Sequence, residues 1–321
     1  MTTTTPRPQQ PTAQDSANSA PRKRPRRLSP GALFVVPAVA FFLAFLVIPI
    51  VYTIYLSSHG MQVLQGQAYG VKEQVFLGFE NYLSALTDAD LGSSLLRMLL
   101  YAIIMVPIMM FSAMLFALLL DSPKARLVGL SRTMIFLPYA IPGVIATLMW
   151  GFLYLKSTSP AVWLAGQVGI VLPDVLSGNI IYLSLANISI WSGVGFNMII
   201  MYTSLRSVPK EIYDAARVDG CNEMQISVRI KIPYLMPAIA LTGLFSIIGA
   251  LQAYSEPVTL AALTPAIGST FFPMMTVYSQ AFESIDLNLA AATSIVLAVG
   301  TLLVSLLVLR VMQSRNSKGA S

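Results

Sequence analysis

The chain has 321 residues, of which 55% are apolar and only 11% charged, and its mean hydropathy is +0.70. Soluble globular domains carry roughly 25% charged residues, so this composition excludes an ordinary water-soluble fold. The net charge of +6 does not indicate nucleic acid, because the basic residues cluster beside the ends of apolar runs and form no basic groove interleaved with aromatics.

Residues 1–30 are rich in Thr, Pro, Gln and Ser and end in the basic run Arg22–Arg27. They lack the apolar content to fold and are expected to form a disordered cytoplasmic tail. The basic run, placed just before an apolar helix, reads as a topology signal. The first apolar stretch, Leu33–Leu56, is longer than a signal-peptide core and is not followed by a small-residue cleavage site, so it is expected to be a retained helix.

A bilayer core requires roughly 20 apolar residues in helical form. Six stretches meet this: Leu33–Leu56, Met98–Leu120, Thr133–Leu155, Ile180–Leu205, Leu235–Tyr254 and Ala290–Leu309. The expected fold is an all-α membrane domain of six transmembrane helices over residues 31–312, followed by a cytoplasmic C-terminal tail over 313–321. Pro37, Pro49, Pro107, Pro138 and Pro142 fall inside these stretches and read as kinks. Ala161–Leu176 and Pro257–Phe282 are apolar but interrupted by Gly and Pro.

Charge settles the count. With six spans and both termini cytoplasmic, 17 of the 20 Lys and Arg residues lie inside, leaving Lys72, Arg97 and Lys156 outside. Making Ala161–Leu176 a span would place the five basic residues between Arg206 and Lys231 outside, against the positive-inside rule. The two interrupted stretches are therefore expected at the outer face, as interfacial or re-entrant segments. The outer loops carry Glu73, Glu80, Asp88, Asp90, Glu283 and Asp286.

The loop 207–237 reads SVPKEIYDAARVDGCNEMQISVRIKIPYLMP. Ser207 is an expected N-cap, Pro209 fits a first turn, and Glu211 suits the positive end of a helix. Asp219-Gly220 supplies a turn, since glycine adopts the left-handed conformation cheaply. Asn222 and Gln225 form a capping-box pair for a second helix, expected to end before Pro233. Two short amphipathic helices joined at a glycine are thus expected at the cytoplasmic membrane surface.

This loop resembles the coupling-helix signature of ABC importer permeases, Glu-Ala-Ala, three residues, Gly, nine residues, Ile-x-Leu-Pro. The corresponding residues are Asp214-Ala215-Ala216, Gly220 and Ile230-Lys231-Ile232-Pro233, with Asp and Ile replacing Glu and Leu. The likeness extends along the membrane part and is greatest to the maltose-type and glycerol-phosphate-type permeases of carbohydrate uptake. It includes Phe34–Pro37, Ile48-Pro49, Phe76–Tyr82, Ser131–Thr133, Phe136–Pro138, Trp191, Gly195–Asn197 and Leu205. The family's Thr-Gly-Gly-Gly-Pro after the fifth span is absent, and Leu263-Thr264-Pro265 stands near its place.

The resemblance implies a permease of an ATP-driven importer for a sugar-like solute in a bacterial-type cell membrane. It implies four kinds of partner: a second permease subunit, two copies of an ABC ATPase, an extracytoplasmic solute-binding protein and membrane lipid. Asp214, Ala215, Ala216, Arg217, Asp219, Gly220, Ile230 and Pro233 would engage the ATPase. No Gly-x-x-x-x-Gly-Lys-Ser/Thr loop occurs in the chain, so ATP and Mg would belong to the partner, with no cofactor, metal or catalytic site here.

Polar groups inside membrane helices are costly unless paired or facing a cavity. Asn187, Trp191, Asn197, Ser246, Gln252, Tyr254 and Glu256 are therefore candidates for the substrate path. Ser246, Gly249, Ala250 and Ala253 share a small-residue face that could admit a ligand or pack a neighbouring helix, and Glu256 could select a cation, pair with Arg97 or be solvated. The alternative function is an ion-coupled secondary transporter, which usually requires intramembrane carboxylates or cation sites. The deep parts of the six spans hold no Asp or Glu. An intramembrane enzyme lacks support, because His59 is the only histidine and sits in a loop.

Overall fold

The computed structural model describes residues 2, 30–63 and 72–318. The expected disordered tail, with its Arg22–Arg27 run, lies outside them apart from Thr2 and Pro30. Among these described residues five helical segments are long and apolar enough to cross a bilayer: Phe34–Ser57, Ala89–Leu120, Gly178–Arg206, Glu223–Ala261 and Leu287–Arg310. The bent pair Val128–Ala140 and Gly143–Tyr154, counted as one broken span, makes six.

The contacts divide the chain at Val51 into two units. The first contains α1 (Pro30–Phe42) and a π-helical turn (Leu43–Val47) that leads into α2 (Ile48–Ser57). Pro49 has no N–H to donate, and a wider i→i+5 turn just before it accommodates the missing bond without ending the helix. Phe34, Phe41 and Phe45 are exposed, as a lipid-facing surface requires.

In the second unit α2 ends at a two-stranded antiparallel hairpin, β1 (His59–Val63) with β2 (Lys72–Phe76), followed by α3 (Glu80–Thr87). Asn81 Nδ2 donates to the carbonyls of Ser57 and His59 at 3.0 and 2.7 Å, so this residue of the Phe76–Tyr82 stretch acts as a structural tie. Asn288 Nδ2 adds bonds to the carbonyls of Leu56 and His59 at 3.0 and 2.7 Å.

Helix α4 (Ala89–Leu120) starts at Asp88, whose side chain accepts from the Asp90 N–H at 2.9 Å. Leu91, Ser94, Met98, Tyr101, Met105, Met109, Ala113, Ala117 and Leu120 are its buried residues, spaced three or four apart. This single face packs against α8 (Ile181–Arg206) and α11 (Ile232–Leu251). Lipid tails are as apolar as leucine, so such helices associate through close fit rather than through escape from water, and small residues at the contact matter most. Ala113 and Ala117 are fully buried there. At Gly195 in α8 a Cβ would collide with the Ile135 carbonyl and the Phe136 backbone.

The third span is broken rather than kinked. Helix α5 (Val128–Phe136) tightens into a 3₁₀ turn (Leu137–Ala140), Ile141 is extended, and α6 (Gly143–Tyr154) departs at 97°. Two prolines four residues apart account for this: Pro142 drives Ile141 out of the helical region, and Pro138 and Pro142 both lack a donor.

The interrupted stretches are not spans. The first contains only α7 (Pro160–Gln167), and the second only α12 (Ser255–Ala261), α13 (Pro273–Tyr278) and a π turn (Ser279–Glu283). The last helix, α14 (Leu287–Lys318), runs through the residues expected to begin a C-terminal tail.

The membrane part has two buried cores. One joins Met98, Tyr101 and Met105 to Ile181, Leu185, Leu260 and Phe272. The other joins Ala113 and Ala117 to Met198, Met201, Leu205 and Leu235.

Candidate functional site

The loop after α8 holds α9 (Lys210–Val218), with Pro209 at its N-cap position. Ser207 is therefore not the N-cap. It ends α8 instead, its hydroxyl donating to the Ser204 carbonyl at 2.7 Å and lying 3.1 Å from the Tyr234 hydroxyl. Val208 precedes a proline, which disfavours the helical region there and moves the start of α9 forward.

Helix α9 closes at Gly220, whose φ is +85°. The Cys221 N–H reaches the Ala216 carbonyl and the Gly220 N–H the Arg217 carbonyl, both at 3.0 Å, a Schellman closure. The second start is as expected: Asn222 Oδ1 accepts from the Gln225 N–H at 2.9 Å and Gln225 Oε1 from the Asn222 N–H at 2.8 Å.

The second helix does not stop before Pro233. Helix α10 (Glu223–Ile226) passes through a π turn (Ser227–Lys231) directly into α11, and Pro233 lies in the first turn of α11. The π turn again admits a proline without a break. The loop is thus one separate short helix, α9, joined through Gly220 to the continuous α10–α11 rod.

Tyr213 and Ala216 face inward and join Val208, Ile226, Cys221 and Ile230 in a small apolar cluster. Asp214, Ala215, Arg217, Val218, Asp219 and Gly220 are exposed, as are Met224 and Pro233. Arg217 donates to Asp214 at 2.8 Å and to Glu223 at 3.1 Å, tying α9 to α10. Its guanidinium pKa is raised, mainly by the hydrogen bond to Glu223. The α9 surface presents an apolar tip, Val218, beside an anchored pair of opposite charges, a shape that a cleft in another protein could grip.

Behind α9, Lys231 Nζ lies 2.6 Å from Asp121 Oδ2, and the two side chains are only 2% and 6% exposed. Lys231 also lies over the Tyr213 ring, 5.0 Å from its centroid. The Tyr213 phenol is pushed up to about 12, first by burial and then by the charge of Asp121. In the sequence Lys231 reads as a topology charge within the Ile230–Pro233 match; its burial is a three-dimensional fact with no local signature.

A second feature lies within the membrane part, a cavity of about 450 Å³ bounded by α4, α8, α11 and the break in the third span. Tyr101, Tyr139, Phe196 and Phe245 supply rings, while Ser189, Ser192, Asn197, Ser246 and Glu256 supply polar groups. Tyr101 donates to the Ser189 hydroxyl at 2.7 Å. Asn197 Nδ2 is held by the Gly193 carbonyl at 3.1 Å and Met109 Sδ at 3.2 Å, while its Oδ1 is buried without a partner among the described residues.

Of the residues expected on the path, Asn197, Ser246 and Glu256 line this cavity, with Gly249 and Ala253 from the small-residue face. Asn187, Trp191, Gln252 and Tyr254 do not. Asn187 donates to the Tyr154 hydroxyl at 2.8 Å, Trp191 packs edge-on against Trp150, Gln252 caps α11, and Tyr254 packs on Tyr278. Ala250 is fully buried in the core. Arg97 bonds the Thr270 carbonyl and lies over the Phe271 ring, so the structure gives it no pairing with Glu256. Tyr101, Ser189 and the aromatic wall were missed because they sit in ordinary apolar runs, although a lone phenol in mid-span is itself a signal.

Over residues 82–315 the chain matches the family described as the binding-protein-dependent transport system inner membrane component, and it belongs to that family. It is a multi-pass membrane permease of an ABC importer, and ATP hydrolysis resides in a separate subunit. The ion-coupled alternative finds no support.

Among its relatives are three named transport permeases. The lactose transport permease LacF of Rhizobium radiobacter is 28% identical, the match covering 86% of this chain and 92% of that protein. The osmoprotective compounds uptake permease GgtC of Synechocystis sp. is 30% identical over 69% of this chain and 78% of its own. The trehalose/maltose permease MalF of Thermococcus litoralis is 23% identical over 76% and 81%. The fold matches a chain from the crystal structure of a bacterial ABC transporter that imports the acidic polysaccharide alginate. The TM-score is 0.74 at 18% identity, covering 88% of this chain and 94% of that one.

Proposed function

We propose that this chain forms one half of the path by which an importer moves a neutral sugar or related polyhydroxylated solute into the cell. The observation that carries the reading is the cavity wall, where aromatic faces alternate with hydroxyls and the unpartnered Asn197 Oδ1 awaits a donor. Sugars offer both an apolar face and many O–H donors. Among the described residues Glu256 is the only charged one on the wall, and no described Lys or Arg lines it, which suits neutral solutes better than an acidic polysaccharide. The relatives named for lactose and for trehalose/maltose agree with this class.

The finer assembly is part of the same reading. A second, non-identical permease completes the path, two ATPase copies each receive a cytoplasmic helix, and a solute-binding protein delivers cargo at the outer face. In this chain that helix is α9, with Asp214, Ala215, Arg217, Asp219 and Gly220 presented to the ATPase, Ala216 packed beneath them, and Ile230 and Pro233 forming the root behind it. Both termini lie in the cytoplasm. Closure of the ATPase pair would bring the two cytoplasmic helices together and alternate access to the cavity.

The test is purification from membranes followed by reconstitution. The chain should bring down an ATPase and a second permease. Asp214→Lys, which places like charge beside Arg217, should abolish solute uptake while the protein stays inserted. Normal uptake by that variant would remove α9 from the mechanism.

A further inference from the structure

The buried pair between Asp121 and Lys231 has no part in the path or in the exposed face of α9. We propose that Lys231 is a positioning residue for transport: bonded to Asp121 and stacked on Tyr213, it makes α9, the cytoplasmic end of α4 and the root of α11 move as one body. This rests on the reading of α9 as the ATPase-facing helix.

Three separate parts of the chain meet at one ammonium group. Asp121 is the C-cap of α4, and Lys231 Nζ lies 2.6 Å from its carboxylate and donates to its main-chain carbonyl at 3.4 Å. The cation therefore also sits at the negative end of the α4 dipole. Lys231 itself occupies the last position of the π turn through which α10 becomes α11. Tyr213, under the ammonium, projects from the middle of α9.

Packing does not make this connection. The apolar neighbours of Tyr213 and Ala216 come from their own loop and the start of the following helix: Val208, Cys221, Ile226 and Ile230. Between α9 and the end of α4 lies instead a groove of about 530 Å³, with Asp121, Tyr213 and Lys231 among its walls. Without the ion pair α9 would rock over that groove. With it, a push on α9 is delivered to α4, whose Tyr101, Met105 and Met109 form part of the cavity wall.

The competing reading is that the pair is static glue, which well-packed apolar residues would replace equally well. The two differ in what is lost. In the reconstituted complex, Lys231→Met should assemble and hydrolyse ATP, but the solute moved per ATP should fall about tenfold, the size of a typical coupling term. Lys231→Arg, which keeps the charge, should restore the ratio to within about twofold. If Lys231→Met assembles with a native ratio, the proposal is overturned. If it fails to assemble, Asp121→Asn, which keeps the shape and removes the charge, is read in its place. Failure of both to assemble makes the pair a folding element and overturns the proposal too. Gly220→Pro separates the two levels: if it transports normally, the reading of α9 falls and this inference with it. If it uncouples while Lys231→Met does not, only the role of Lys231 is lost.

Discussion

At position 195 there is no room for a methyl group. The atoms that one would strike are backbone, the Ile135 carbonyl and the Phe136 Cα, and backbone cannot swing aside as a side chain can. Gly195→Ala should destabilise the protein by about 1–3 kcal/mol, read as a lower thermal midpoint in detergent. By contrast, Gly249→Ala meets nothing within 4 Å and should leave that midpoint unchanged.

Tyr213 gives a second prediction at this scale. Its phenol is raised from 10.0 to about 12, so the folded state favours the neutral form. The associated stability is complete below pH 10, where both states are protonated, and is lost as pH rises towards 12 because the unfolded chain ionises first. Tyr213→Phe should remove that alkaline decline, which unfolding midpoints measured from pH 9 to 12 would reveal.

Among the elements, α9 depends on how it ends. Gly220 holds φ +85°, where an L-residue pays roughly 1–2 kcal/mol and proline cannot go at all. Gly220→Ala should therefore weaken the loop without erasing it, and Gly220→Pro should open the Schellman closure. Hydrogen exchange at the Cys221 amide, bonded to the Ala216 carbonyl, should rise modestly in the first variant and by orders of magnitude in the second. Equal protection in both would dismiss the closure as the source of order.

The same elements show what could be read in advance. Gly220 and the Asn222–Gln225 box were legible because their chemistry is local: a handful of neighbouring residues determines the turn and the cap. Pro233 and the Pro138–Pro142 region were not. A proline removes one donor wherever it occurs, but whether the helix ends, widens or turns through a right angle depends on what surrounds it. At Pro233 a π turn absorbs the defect, whereas at Pro142 the break is turned towards the cavity, with Tyr139, Ile141 and Gly143 on its wall. Polar residues in the spans were legible as a set but not singly. Asn187 and Asn197 look alike in sequence, yet one bonds Tyr154 and the other faces the cavity.

For the whole molecule, the distribution of charge makes a claim about sidedness that the chain's one cysteine can test. Cys221 is half-buried beside Gly220 on the face proposed to be cytoplasmic. A membrane-impermeant maleimide should leave intact cells unlabelled and modify Cys221 in inverted vesicles. A cysteine placed at Met61, exposed on β1, should behave in the opposite way in a Cys221→Ser background. Reversal of either pattern would invert the topology and remove the ATPase from the reach of α9.

The carbonyl of His59 accepts an amide from Asn81 and another from Asn288, at 2.7 Å each. A single oxygen thus laces the exit of the first crossing to the entry of the last, more than two hundred residues later in the chain. A polypeptide severed between β1 and β2 should consequently stay together, its short N-terminal piece held by the strand ladder and those two amides. Two half-genes expressed side by side would then rebuild a working rim.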